Sequence, residues 1–140
     1  CIEAAYPMTI GHRFAMPPVQ IMDQGFQVAA AQQQIIENFA KQGDCVIVGR
    51  CADFILQDRT DCLKVFVHAD MKFRADRIVR VYGEREKSPE ARLKEKDKRR
   101  AAYYRFYTDM KWGDAVNYHV ALDSGVVGIE KCAKVIESLA

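Results

Sequence analysis

The features that would place this chain in a membrane or in a disulfide-stapled class are missing from it. No apolar run approaches the roughly 20 residues that a helix needs to cross a bilayer. No signal-peptide pattern of a basic start and an apolar core opens the chain. The expectation is a cytoplasmic protein with no membrane partner. The five cysteines are an odd number without a Cys-x-x-Cys pair, whereas zinc sites and disulfide frameworks depend on paired spacings. Cys45, Cys62 and Cys132 lie in apolar segments and read as small buried thiols in a reducing compartment, and no metal site is expected. Histidine is scarce at three residues: His68 ends an apolar run and His119 lies within one, so both read as packing or rim residues, and His12 falls in a stretch without a period. Repeats and low-complexity tracts are absent. So is any Gly-Lys dipeptide, and with it the glycine-rich phosphate loop that ends in Lys-Ser/Thr.

What remains is an ordinary globular composition, 49% hydrophobic and 29% charged over 140 residues, enough for one domain spanning 1–140 with a single core. The small net charge of +2 hides an asymmetry. Between Arg74 and Arg105 there are twelve Lys or Arg against six Asp or Glu, a local balance of +6 that leaves −4 for the rest. A basic segment on an acidic body expects an anionic partner, a nucleotide or a nucleic acid.

Residues 1–18 show no period, and Pro17 and Pro18 mark an extended or turn segment before a helix. Val19 to Lys41 is rich in alanine and glutamine and reads as a helix, with Phe26, Ile35, Ile36 and Phe39 inward and Gly43 as the stop. Cys45 to Val48 is a short apolar run of the kind buried on both faces of a parallel sheet. Gly49 and Arg50 follow at its carboxyl end, where open α/β sheets bind ligands. A short helix over Cys51 to Gln57 and a second strand over Leu63 to Ala69 come next, and Asp70 caps a helix from Met71 to Tyr82. On that helix Met71, Ala75, Ile78, Val79 and Tyr82 form an apolar stripe, and Arg74, Arg77 and Arg80 lie off it. Ser88 and Pro89 open another helix that runs to about Tyr107. The two basic helices make a hairpin with a thin apolar stripe, the character of a mobile lid over about 71–107. A loop carrying Trp112 and Gly113, a third strand over Tyr118 to Leu122, and a helix from Ile129 to Leu139 complete the chain. Trp112 reads as a packing anchor and Asp123 as a turn cap. The alternation is that of an α/β fold with a parallel sheet and helices on both sides.

The densest chemistry lies between Asp97 and Asn117. At 100° per residue Leu93, Asp97, Arg100, Tyr104 and Tyr107 fall within about 80° of one another on a helix. A carboxylate and a guanidinium thus share the inward face, where burial costs several kcal/mol per ion, in order of magnitude, unless each is paired or bound. The bland reading is an intrahelical pair at the rim. The functional reading is a polar cleft that grips a ligand with hydroxyl donors and anionic oxygens, for which the planar guanidinium fork is suited. A polynucleotide stacked on Tyr103, Tyr104, Phe106, Tyr107 and Trp112 is disfavoured, because Tyr104 and Tyr107 share the inner face with Leu93.

The segments VIVGRCADFIL, FVHADMKFRADRI and KDKRRAAYYRFYTDMKWGDAVNYHVALDSG together resemble the cytidylate kinase-like family, relatives of bacterial cytidylate kinase among the P-loop nucleoside monophosphate kinases. The third segment is the specific one, and the resemblance runs from about Phe26 to the carboxyl terminus. It implies a P-loop NTPase-like three-layer α/β/α fold with a helical-hairpin lid, and transfer of the γ-phosphoryl group of ATP, with Mg²⁺, to a small-molecule nucleotide, CMP or dCMP first. It implies further that Gly49, Arg50, Asp97 and Arg100 bind the acceptor nucleotide and that Arg74 and Arg77 belong to the lid closing on ATP. The alternative is a nucleotide-binding or sensing protein of the same fold without turnover. Three departures stand out. The phosphate loop is missing, and because the chain starts at Cys1 the expectation is that this loop and the first strand lie upstream. Cys51, Ala52 and Asp53 stand where the true kinases have Asp-x-Gly-Thr, and Leu93 stands where a ribose-contacting arginine is expected.

Overall fold

A computed structural model describes residues 19–140, with side chains from 24 onward; the expected amino-terminal loop, Cys1 and His12 lie outside the described residues. The order is α1 (Val19–Gln42), α2 (Ala52–Ile55), β1 (Val65–His68), α3 (Met71–Tyr82), α4 (Pro89–Thr108), a 3₁₀ turn (Ala115–Asn117), β2 (Val120–Asp123), α5 (Ser124–Val127) and α6 (Ile129–Leu139). β1 and β2 pair in parallel, with Val65 opposite Val120 and His68 opposite Asp123. Mixed helices around a small parallel sheet are compatible with the expected α/β class. Among the described residues no helix is long and apolar enough to cross a membrane.

Helix limits follow local chemistry. The Asp70 carboxylate accepts from the Phe73 amide at 2.7 Å and starts α3. The Ser88 hydroxyl accepts from the Ala91 amide at 3.3 Å, with Pro89 in the first turn, and starts α4. Asp123 accepts from the amides of Gly125 and Val126 and so caps α5, the role expected of it. Trp112 meets the Phe66 ring edge-on at 5.6 Å and is the anchor the sequence suggests. Beside it Gly113 has φ 74°, and a Cβ there would lie 2.9 Å from the Phe66 ring, so only glycine fits.

Two expectations about burial fail. Residues 45–48 are not a strand: they make no ladder, and Val46 and Val48 are 93% and 87% exposed. A strand exists only by pairing, and among the described residues β1 pairs with β2 alone. Only Ile47 turns inward, onto the cluster of Ile36, Ala52 and Leu56, and Cys45 is exposed rather than a buried thiol. On α1, Phe26, Ile35 and Phe39 are each more than half exposed, and Ile36 alone is buried. Among the described residues α1 packs chiefly on the single-turn α2, with α4 touching it through Phe106 at Phe26 and Tyr103 at Gln32, so much of its apolar face is left uncovered by them. A second cluster, Ala75, Ile78 and Leu93 flanked by Met71 and Val79, joins α3 to α4. The outer end of the expected stripe, Tyr82, is exposed at the tip of this hairpin.

Ile36→Ala should therefore cost about 2–5 kcal/mol of unfolding free energy, as truncation of a buried aliphatic does. Phe39→Ala should cost less than about 1 kcal/mol. Denaturant unfolding of the two variants reads the difference; equal losses would show that the outer face of α1 is covered after all.

Candidate functional site

Helix α4 has little apolar surface, and its two halves rest on different partners. The amino-terminal half puts Leu93 into the cluster with α3. The carboxyl-terminal half buries Tyr104 and Thr108 and bonds to α1 and α2 through its tyrosines. Between the halves lies Asp97. Its Oδ1 accepts from Arg74 Nη2 at 2.8 Å and from Arg100 Nη1 at 3.4 Å. One carboxylate oxygen thus serves two guanidinium groups, one from each helix of the hairpin. The side chains of Arg74 and Asp97 are 28% and 23% exposed, and that of Arg100 is 55% exposed. The inward seam expected from the helical wheel is real at Leu93 and Tyr104 and opens to solvent at Arg100.

Arg77 lies one turn beyond Arg74 on α3. The two arginines line a cleft of ≈ 410 Å³ together with His68, Ser124, Cys132 and Ile136. The cleft sits at the carboxyl end of β1, where the Ser124 hydroxyl donates to the His68 carbonyl at 3.1 Å. Its charged lining, Arg74 and Arg77, belongs to α3, and Ile129, Cys132, Ala133 and Ile136 of α6 supply apolar lining.

Gly49 and Arg50 occupy a turn with an unusual backbone. Gly49, Arg50 and Cys51 have φ of 75°, 56° and 57° in succession. A left-handed conformation comes without steric cost only to glycine. For the other two it costs of order 1–3 kcal/mol each, so surrounding contacts must hold it. The turn is closed by the Ala52 amide donating to the Gly49 carbonyl at 3.1 Å and by the Phe54 and Ile55 amides donating to the Cys51 carbonyl. The Arg50 guanidinium lies over the Tyr103 ring of α4, 5.9 Å from its centroid. Arg50 also lines a second cleft, of ≈ 270 Å³, with Phe26, Gln33, Cys51, Phe54 and Tyr107. The structure therefore brings Asp97, Arg100 and Arg74 together, puts Arg77 beside Arg74, and sets Arg50 over Tyr103 of the same helix, with Gly49 before it in an open turn.

Sequence reasoning missed the tie that secures this turn. The Tyr104 hydroxyl donates to Asp53 Oδ2 at 2.7 Å, and Tyr104 is only 4% exposed. Burial, then the Asp53 carboxylate, push the Tyr104 phenol well above its ordinary range. The same two causes raise Tyr118, and burial followed by the neighbouring Tyr107 raises Tyr103. The Cys51 thiol is buried and pushed from 9.0 to about 11, by burial first and Asp53 second, against an opposing pull from Arg50. A signal was present: Asp53 lies in the triplet that departs from the kinase pattern, and Tyr104 falls on the inner face with a hydroxyl in need of a partner.

The sequence pattern of the cytidylate kinase-like family matches residues 6–126. The chain belongs to that family. The crystal structure of an uncharacterized protein from Eubacterium ventriosum ATCC 27560 is similar, with a TM-score of 0.75 and 30% identity over 81% of this chain and 71% of that one. No curated protein matches this chain. Membership of the cytidylate kinase-like family supports kinase and nucleotide-binding character at a coarse level.

The raised thiol and phenols set a pH dependence. A group whose pKa is higher folded than unfolded contributes stability that is complete below the unfolded value and lost as pH rises through the folded one. For Cys51 that window runs from about pH 9 to about 11, and Tyr103, Tyr104 and Tyr118 add in the same direction at the alkaline end. Thermal melts should hold up to about pH 9 and fall above it, less steeply for Cys51→Ala. A melting temperature that rises through this window would contradict the assignment.

Proposed function

We propose that this cytidylate kinase-like protein is a phosphotransferase that moves the γ-phosphoryl group of ATP to a nucleoside monophosphate, CMP or dCMP first. The observation that carries the reading is the shared carboxylate on α4. Asp97 is half-buried, holds Arg74 at 2.8 Å and reaches Arg100 at 3.4 Å, so two guanidinium groups are oriented and partly desolvated without being consumed in a closed pair. In this reading Asp97 meets the ribose hydroxyls, and Arg100 and Arg50 hold the acceptor phosphate, each able to donate two parallel bonds. Gly49 lets the chain turn so that Arg50 faces α4.

ATP supplies the transferable phosphoryl group when bound. Arg74 and Arg77 would hold its phosphates from the wall of the larger cleft, and stabilising spread negative charge is most of what such a transfer asks of a protein. The hairpin over Met71–Thr108 acts as the lid that keeps water from competing as acceptor. The resemblance also brings Mg²⁺. The described residues include no group of three His, Cys, Asp or Glu that could hold a metal ion, so they do not fit a protein-held metal, and no step is drawn through one. The proposed partners are small-molecule nucleotides, in a P-loop NTPase-like architecture.

Calorimetric titration with CMP, dCMP and UMP, and a coupled assay with ATP, test the reading. Arg100→Ala should weaken the preferred monophosphate by about 1.5–3 kcal/mol, the worth of a hydrogen bond to a charged group. The fold should survive, because Arg100 is the most exposed of the three ion-paired residues. Unchanged affinities would show the site to be misplaced. Binding without turnover would move the protein to the nucleotide-sensing alternative.

A further inference from the structure

The Tyr104 to Asp53 hydrogen bond takes no part in the reaction proposed above, yet it joins the two halves of the candidate acceptor site. We infer that Asp53 and Tyr104 are positioning residues: their bond fixes the Gly49–Cys51 turn against α4 and so sets where Arg50 stands relative to Asp97 and Arg100. The inference rests on the kinase-like reading of that site.

The local bonds of the turn do not suffice. The amides of Ala52, Phe54 and Ile55 close it onto α2, but none of them reaches α4. Side-chain links to consecutive residues of α4 do. Arg50 lies over the Tyr103 ring, and Asp53 accepts from the Tyr104 hydroxyl at 2.7 Å. The first starts from an exposed arginine, whereas the second is short, charge-assisted and ends on a buried tyrosine. Tyr104 is itself held, since the Thr108 hydroxyl donates to its carbonyl at 2.6 Å and accepts from the Met110 amide at 3.1 Å. Tyr103 is braced on the other side by its hydroxyl donating to Gln32 at 3.2 Å. Helix α4 then serves as a ruler. At about 1.5 Å rise per residue, Arg100 lies about 6 Å and Asp97 about 10 Å along the axis from Tyr104. A phenylalanine at 104 would fill the same space, so the buried hydroxyl and its half-buried carboxylate partner serve geometry beyond packing. The depth of Cys51, a residue 7% exposed whose thiol is raised to about 11, makes that cysteine a reporter of whether the turn stays shut.

The test uses the full chain and three variants, Tyr104→Phe, Asp53→Ala and Asp53→Asn. CMP binding is read by calorimetry, KM for CMP and for ATP by steady-state assay, and Cys51 alkylation by iodoacetamide at pH 8 with mass spectrometry. Tyr104→Phe and Asp53→Ala should raise Kd and KM for CMP about tenfold, as loss of a charge-assisted bond implies. KM for ATP should stay within about twofold, and Cys51 should be alkylated about tenfold faster. Asp53→Asn keeps an acceptor for the hydroxyl and should return CMP binding and alkylation to within about twofold of the parent. Should Asp53→Ala fail to fold, the near-isosteric Tyr104→Phe carries the comparison. Unchanged CMP affinity in Tyr104→Phe, an equal rise in KM for ATP, or Asp53→Asn as impaired as Asp53→Ala would each overturn the assignment. If the parent protein binds no nucleoside monophosphate, the kinase-like reading fails by itself. The alkylation rate then decides the positioning role: acceleration in Tyr104→Phe upholds it, and an unchanged rate overturns it.

Discussion

Helix α4 cannot be held in place by apolar burial alone, because only Leu93, Tyr104 and Thr108 along its twenty residues are buried. Everything of functional interest depends on how this shortfall is met. Polar ties replace the missing stripe: Asp97 to Arg74 on α3, Tyr103 to Gln32 on α1, and Tyr104 to Asp53 on α2. Hydrogen bonds and ion pairs are directional, so a helix held this way has its rotation and register fixed more narrowly than one held by grease. The cost is that each buried polar partner must be present, since an orphaned one is strongly unfavourable.

That economy explains the uneven character of the hairpin. Its root and middle carry the small cluster of Ala75, Ile78 and Leu93, while its tip, including Tyr82, is exposed. Ion pairs along the outer face, Lys72 with Asp76 and Glu95 with both Lys87 and Arg99, are solvated and add little to stability. A basic, thinly packed hairpin that puts Arg74 and Arg77 on the wall of a cleft offers positive charge to an anion. The turn at Gly49–Cys51 has the opposite character, with a costly backbone kept in place by neighbours that do not belong to it.

Much of the local structure was legible in the residues. Asp70, Ser88 and Pro89 announce the starts of α3 and α4, and Asp123 announces its cap, because capping is settled by atoms within three residues of one another. Trp112 beside Gly113 could be read as an anchor for a similar reason. The wheel through Leu93, Asp97, Arg100 and Tyr104 was also readable, though it could not say that the seam opens at Arg100. Burial was less legible. Phe26, Ile35, Phe39, Val46 and Val48 have the look of core residues and stand exposed, because an apolar side chain is buried only where another surface arrives to cover it.

The sequence by itself determined the helix limits, the caps, the charge asymmetry and the family, all of which are written in residues near one another or in a pattern along the chain. Only the tertiary structure decided that residues 45–48 form no strand, that Asp97 takes Arg74 as well as Arg100, and that Asp53 meets Tyr104 fifty-one residues away. The reason is physical: propensity and capping act over one helical turn, whereas pairing, burial and the satisfaction of a buried hydroxyl depend on which distant surface the folded chain brings within 3 Å.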